Sequence, residues 1–190
     1  MIRLLTLTLL LAVSQPAAAA GWQLDSERSS LYFLSIKKND VAEVHQFDRL
    51  SGSYDHGEAK LVIDLTSVDT GIDVRDERMR EHLFETGSHP KATVTVEVPE
   101  QRVADLKPGE QMVLDSGGTL ALHGQSHEVD TPLSVTRLGD GRLEVANVRP
   151  VVVNAGDYGL ARGVDKLREI AGLSSISPAV PVQFTLYFSK

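Results

Sequence analysis

The stretch Val180-Pro181-Val182-Gln183-Phe184-Thr185-Leu186-Tyr187-Phe188 sets Val180, Val182, Phe184, Leu186 and Phe188 at alternate positions against Pro181, Gln183, Thr185 and Tyr187. Side chains two apart on an extended chain share a face, whereas a helix would need apolar spacings of three and four. The segment therefore reads as a strand with one apolar face. The same period runs through Ala92, Val94, Val96 and Val98, and through Ala59, Leu61, Ile63 and Leu65. Residues 31–37, 41–47, 118–122, 129–135 and 142–154 complete the expected strand set. Asp55-His56-Gly57, Lys107-Pro108-Gly109, Ser116-Gly117-Gly118 and Gly139-Asp140-Gly141 separate these strands as turns. Many strands joined by short turns form a meander, which closes into a barrel or folds into a sandwich.

Two segments break the alternation. Asp73 is placed to cap a helix over residues 74–85, where Met79 and Leu83 recur at i,i+4, and Gly87 and Pro90 end it. A second helix is expected over residues 163–171, with Val164, Leu167, Ile170 and Ala171 on one stripe and Gly172 as its stop. Both are short and amphipathic, suited to covering a seam or opening of the sheet. The fold class is thus all-β with two short helices.

Working outward to the chain start, Arg3 precedes an apolar run over residues 4–13, and Ala17-Ala18-Ala19-Ala20 offers small residues before Gly21. Positive charge, a short apolar core and small residues are the order of a cleavable export signal. The apolar core is about half of the roughly 20 residues that a bilayer span requires. Residues 1–20 are therefore expected to be a signal peptide cut after Ala20 or Ala19. Residues 21–190 are expected to be a single domain in the periplasm, with no stable membrane insertion. The chain has no cysteine, so burial rather than disulfides must hold it together. Its formal charge of −7 disfavours nucleic acid and anionic membrane surfaces as partners.

Catalytic signatures are sparse. His123 and His127 are four apart, but the surrounding Leu122-His123-Gly124-Gln125-Ser126-His127 reads as a hairpin, so they are expected to be solvated turn residues rather than metal ligands. His45, His56, His82 and His89 lack a partner at ligand spacing. Serine has no nucleophile elbow, and Asp73 and Asp76 are explained by the dipole of the helix they begin. No cofactor, metal or catalytic residue is expected. The charged run Arg75-Asp76-Glu77-Arg78-Met79-Arg80-Glu81 reads first as a solvated face laced by i,i+3 and i,i+4 pairs. Its functional alternative is an arginine turned inward to an anionic head group.

That run, extended to His82-Leu83-Phe84, resembles the RD-x-x-(L/M)-x-x-x-x-F signature of the YceI-like family. Trp22-Gln23-Leu24-Asp25 with Ser29 or Ser30, Phe47 with Ser51-Gly52, Ser67-Val68-Asp69-Thr70, Leu120-Ala121-Leu122-His123-Gly124 and Asp157-Tyr158-Gly159 resemble further family marks in order. The chain departs from the pattern at His45-Gln46, where the family has a glycine, at His89-Pro90, where it has Y/F-P, and at Asn154-Ala155-Gly156, where it has an arginine or similar residue. The resemblance implies a lipocalin-like, extended antiparallel barrel of about eight strands, wide enough for side chains or one slender ligand. It implies a non-enzymatic binding protein for an isoprenoid lipid, such as a polyprenyl phosphate or a quinone-like chain. Phe33, Leu61, Ile63, Val94, Val96, Phe184 and Leu186 are the candidate channel lining, and Arg75 the candidate head-group contact. A homodimer is compatible with this reading. An enzyme acting on a lipid or small molecule in the same barrel is the alternative, and a module contacting a membrane electron-transfer protein a third.

Overall fold

The computed structural model describes residues 21–190, so the expected export signal lies outside the described residues. Twelve strands form one antiparallel sheet: β1 (Trp22–Leu24), β2 (Ser30–Lys37), β3 (Val41–Phe47), β4 (Leu50–Asp55), β5 (Glu58–Asp64), β6 (Val68–Asp69), β7 (Lys91–Glu97), β8 (Gln111–Leu122), β9 (Gln125–Arg137), β10 (Leu143–Asn147), β11 (Val151–Asn154) and β12 (Ala179–Ser189). The hydrogen-bonded order β1-β4-β5-β7-β8-β9-β10-β12 closes on itself, because β12 also pairs β1 with Gln23 opposite Ser189. This ring is the eight-stranded antiparallel barrel. The opening stretch of sequence is its keystone, since β12 pairs with β1, β2, β10 and β11 along its length. Strands β2, β3 and β6 extend the sheet from β12.

Alternation orients these strands as expected. Leu61 and Ile63 are buried on β5, Leu186 and Phe188 on β12, and Leu133 and Val135 on β9. Three short strands carry too little pattern to be read. Trp22–Leu24 is three residues long, β6 is two, and β4 places Gly52 between Leu50 and Tyr54 on its inner face. A Cβ at Gly52 would stand 2.5 Å from the Lys60 carbonyl oxygen, so the close approach of β5 requires glycine there.

The structure corrects several expectations. Ser116-Gly117-Gly118 is not a turn but the middle of β8, which pairs without a break with β9. A Cβ at Gly118 would lie 2.8 Å from Val96 Cγ2 and 3.0 Å from the Thr95 carbonyl oxygen, so this glycine answers crowding across the sheet rather than reversal of the chain. The segment 142–154 is two strands, parted at Val148-Arg149-Pro150.

The first helix is also shorter than expected. Helix α1 (Asp73–Arg78) starts with Ile72, not Asp73, in the capping position and gives way to a π-helical turn, Met79–Leu83. There the Phe84 amide donates to the Met79 carbonyl at 2.9 Å, and both side chains end up buried. The short helix α2 (Glu100–Ala104) was not legible and buries Val103. Helix α3 (Ala161–Ile170) begins two residues before the expected start and packs on the π-turn.

Candidate functional site

The barrel encloses a cavity of about 250 Å³. Strand register places Tyr54, Val98, Val103, Leu143 and Phe188 towards one end of its wall. Leu83 of the π-turn and Phe84 just after it, Leu122, Leu160 just before α3 and Val164 within it lie towards the other. Helix α2 thus contributes near one end, while the π-turn and α3 cover the opposite one. Phe33, Leu61, Ile63, Val94, Val96, Phe184 and Leu186 all stand on the cavity wall. Parity along each strand brings them there once the barrel closes.

The wall offers hydrocarbon almost exclusively. Its two hydroxyls are already engaged: Tyr54 donates to the Val98 carbonyl at 3.0 Å, and Thr131 to the Arg149 carbonyl at 3.2 Å. Burial raises the Tyr54 phenol above its ordinary value, with the Glu100 charge adding to the effect. Lys60 also borders the cavity, but alternation on β5 leaves its side chain exposed to solvent, so a guest chain meets mainly packing surface. Such a site selects for an apolar body and leaves any polar end outside or at a rim.

Arg75 does not reach this wall. It is drawn instead to β3, where Nη1 donates to Glu43 Oε2 at 2.8 Å, while Nη2 donates to the Thr70 carbonyl at 2.6 Å. Lys37 also pairs with Glu43 at 2.8 Å. The Lys37 hydrogen bond and both positive charges hold the Glu43 carboxyl below its ordinary value, despite its partial desolvation. Asp76 is buried and accepts from the Thr70 amide at 2.9 Å. Among the described residues, no ion pair joins two members of 75–81, so the expected salt-laced face is not formed. Arg75 and Asp76 bond instead to Glu43 and Thr70 outside the run, which charge spacing alone could not show.

Behind the aromatic wall, His45 is buried at 4 % exposure. Its ring packs tilted against Phe33, centroids 5.3 Å apart, and shares a 2.9 Å hydrogen bond between its Nε2 and Ser35 Oγ. Its Nδ1 and Arg75 Nε are buried without a partner. Desolvation first, and then the Arg75 charge, push the His45 imidazole below its ordinary value. It is therefore the neutral form that the interior favours.

Two further histidine expectations are overturned. His123 is not a solvated turn residue, because its side chain is only 15 % exposed and its Nε2 lies 3.3 Å from Glu85 Oε2. His89, which had no partner by spacing, meets His123 with ring centroids 4.4 Å apart. His127 donates from Nε2 to the Asp157 carbonyl at 2.8 Å. The hairpin itself is as expected, a two-residue turn with both His123 and Gly124 in the left-handed region. Neither His123 nor Asp157 stands on the cavity wall. Ile72 and Val74 are exposed at the start of α1, two side chains rather than an extended apolar patch.

A closed antiparallel barrel around an apolar cavity, with helical elements across its openings, defines a lipocalin-shaped binding protein. Within that class the chain belongs to the YceI-like domain family, whose sequence profile matches residues 22–188. A polyisoprenoid-binding domain from Saccharophagus degradans, implicated in plant cell wall breakdown, is 49 % identical with a TM-score of 0.87; the match covers 89 % of this chain and 98 % of that one. BcnA of Burkholderia cenocepacia, at 19 % identity and a TM-score of 0.65, shares the fold over 86 % of this chain and 98 % of its own. The YceI protein of Campylobacter jejuni does so at 15 % identity and a TM-score of 0.53, over 77 % and 84 %. Among curated proteins nothing matches the chain.

Proposed function

We propose that this protein is an exported carrier or storage protein that sequesters one long-chain isoprenoid lipid, a polyprenyl phosphate or quinone-like molecule, in the barrel. The observation that carries the reading is the cavity wall, hydrocarbon almost throughout, with its two hydroxyls already bonded and the Lys60 side chain exposed on β5. The relative from Saccharophagus degradans, described as polyisoprenoid-binding, supports the ligand class. A five-carbon isoprene unit transferred from water gains about 4 kcal/mol at about 0.8 kcal/mol per buried carbon. A few such units offset the lost freedom of the ligand and still leave tight binding. Export is supported by the signal-like order of residues 1–20, and a water-filled compartment between two membranes is where such a lipid needs a carrier.

Native mass spectrometry and lipid extraction of protein produced with its own leader in a bacterial host test the reading. The expected result is a periplasmic chain lacking residues 1–20 with one prenyl lipid bound. Empty protein under gentle conditions, or only phospholipid, refutes the isoprenoid reading; retention of the uncleaved chain in the cytoplasm refutes export.

A further inference from the structure

Two side chains four residues apart, Glu85 and His89, meet the sequence-distant His123 outside the cavity. Glu85 follows the π-turn, His89 lies just before β7, and His123 sits in the β8–β9 hairpin. Their donor atoms all lie within 4.8 Å of one another. The backbone fixes each support. Glu85 is left-handed at φ 47°, and its carbonyl accepts from the amides of Ser88 at 2.8 Å and His89 at 2.9 Å, which turns His89 back beside it. His123 is held left-handed at φ 51° by the tight hairpin. Their neighbours Phe84 and Leu122 line the cavity, so the cluster adjoins the covered end of the barrel.

We propose that Glu85, His89 and His123 form a binding site for one divalent first-row transition ion, Zn²⁺ being the type. Two imidazoles and one carboxylate are a recurrent zinc donor set, leaving a fourth position to water. Tetrahedral ligands about 2.0–2.1 Å from the metal stand about 3.3 Å apart, the separation already present between His123 Nε2 and Glu85 Oε2 at 3.3 Å. His89 offers its donor atom within 4.8 Å of both, with Gly124 beside its ring. Two nitrogen donors disfavour calcium and magnesium, which prefer all-oxygen sets. Without an ion, the same three residues form a His123–Glu85 hydrogen bond with the His89 ring tilted against His123. A bound ion would staple the π-turn segment to the hairpin at the barrel end. This inference does not depend on the identity of the lipid.

Untagged, chelator-treated protein titrated with Zn²⁺ by calorimetry, and with Co²⁺ by visible absorption, tests the site. The expected result is one ion per chain, a four-coordinate Co²⁺ spectrum and a Zn²⁺-dependent rise in melting temperature. His89→Ala and His123→Ala should each weaken Zn²⁺ binding by at least about 100-fold, the upper end of what loss of a mere outer partner costs. His56→Ala, at a fully surface-facing histidine (86 % exposed), should leave binding unchanged. His89 is only partly buried, so its variant should keep the native circular dichroism even where the His123 variant loses stability. Absence of stoichiometric binding to folded protein, or binding that His89→Ala leaves intact, overturns the proposal.

Discussion

Alanine at Gly163 sets two effects of opposite sign against each other. Gly163 lies within α3, where exchange of glycine for alanine normally gains about 0.8–1.0 kcal/mol of helix propensity. Here the added Cβ would stand 2.6 Å from the His82 carbonyl oxygen and 2.7 Å from Leu83 Cα, with Leu83 Cδ1 at 3.1 Å. Two of these contacts are backbone of the π-turn, so a side-chain rotation cannot relieve them. Overpacking costs about 1–3 kcal/mol, and backbone neighbours place this site at the upper end. The net effect is a destabilisation of about 2 kcal/mol. For a domain of this size that is a fall of about 4–8 °C in melting temperature. Thermal unfolding of lipid-free protein followed by circular dichroism measures it. Because α3 and the π-turn cover one end of the cavity, Gly163→Ala should also speed loss of bound lipid to acceptor vesicles. A melting temperature that rises, as propensity alone dictates, would refute the close crossing and the reasoning built on it.

Tyr54→Phe removes the donor to the Val98 carbonyl and should lower stability by about 1–2 kcal/mol in urea unfolding, with no change in the slope that reports exposed surface. Val94→Phe places extra volume in the cavity of about 250 Å³, so extracted lipid should drop while the far-ultraviolet spectrum is kept. His45 has a folded-state pKa below its ordinary 6.5. As pH falls below that value the unfolded chain takes up the proton first, so stability declines from 6.5 downward until the folded imidazole titrates. His45→Gln should flatten this part of the stability profile, measured by urea midpoints across the pH range; an unaltered slope contradicts the depressed value. Glu43 adds loss at lower pH, because stability present above 4.5 disappears as its depressed carboxyl protonates.

Much of the barrel was legible because burial on one face leaves a period of two in the sequence. Residues 180–188 show it cleanly, and their inward set stands on the cavity wall. The period fails where glycine replaces an inward side chain. Gly52 hides β4, and Gly118 imitates a turn inside β8, since both answer the approach of a neighbouring strand that the local sequence does not contain. The charged run at 75–81 misled for a similar reason: i,i+3 and i,i+4 spacing suggested partners within the helix, while Glu43 and Thr70 from other segments took Arg75.

The sequence by itself determined strands with one apolar face each, a core without disulfides, and the kinship that its ordered marks with Arg75-Asp76 carry. Only the tertiary structure decided that the inward faces surround a space instead of filling it, because that depends on how β12 closes against β1. Only it brought His123 to Glu85 and His89, which lie 38 and 34 residues before it along the chain. Periodicity is a property of neighbours in sequence and survives in the written chain. Cavities and convergent side chains are properties of neighbours in space, set by closure of the barrel.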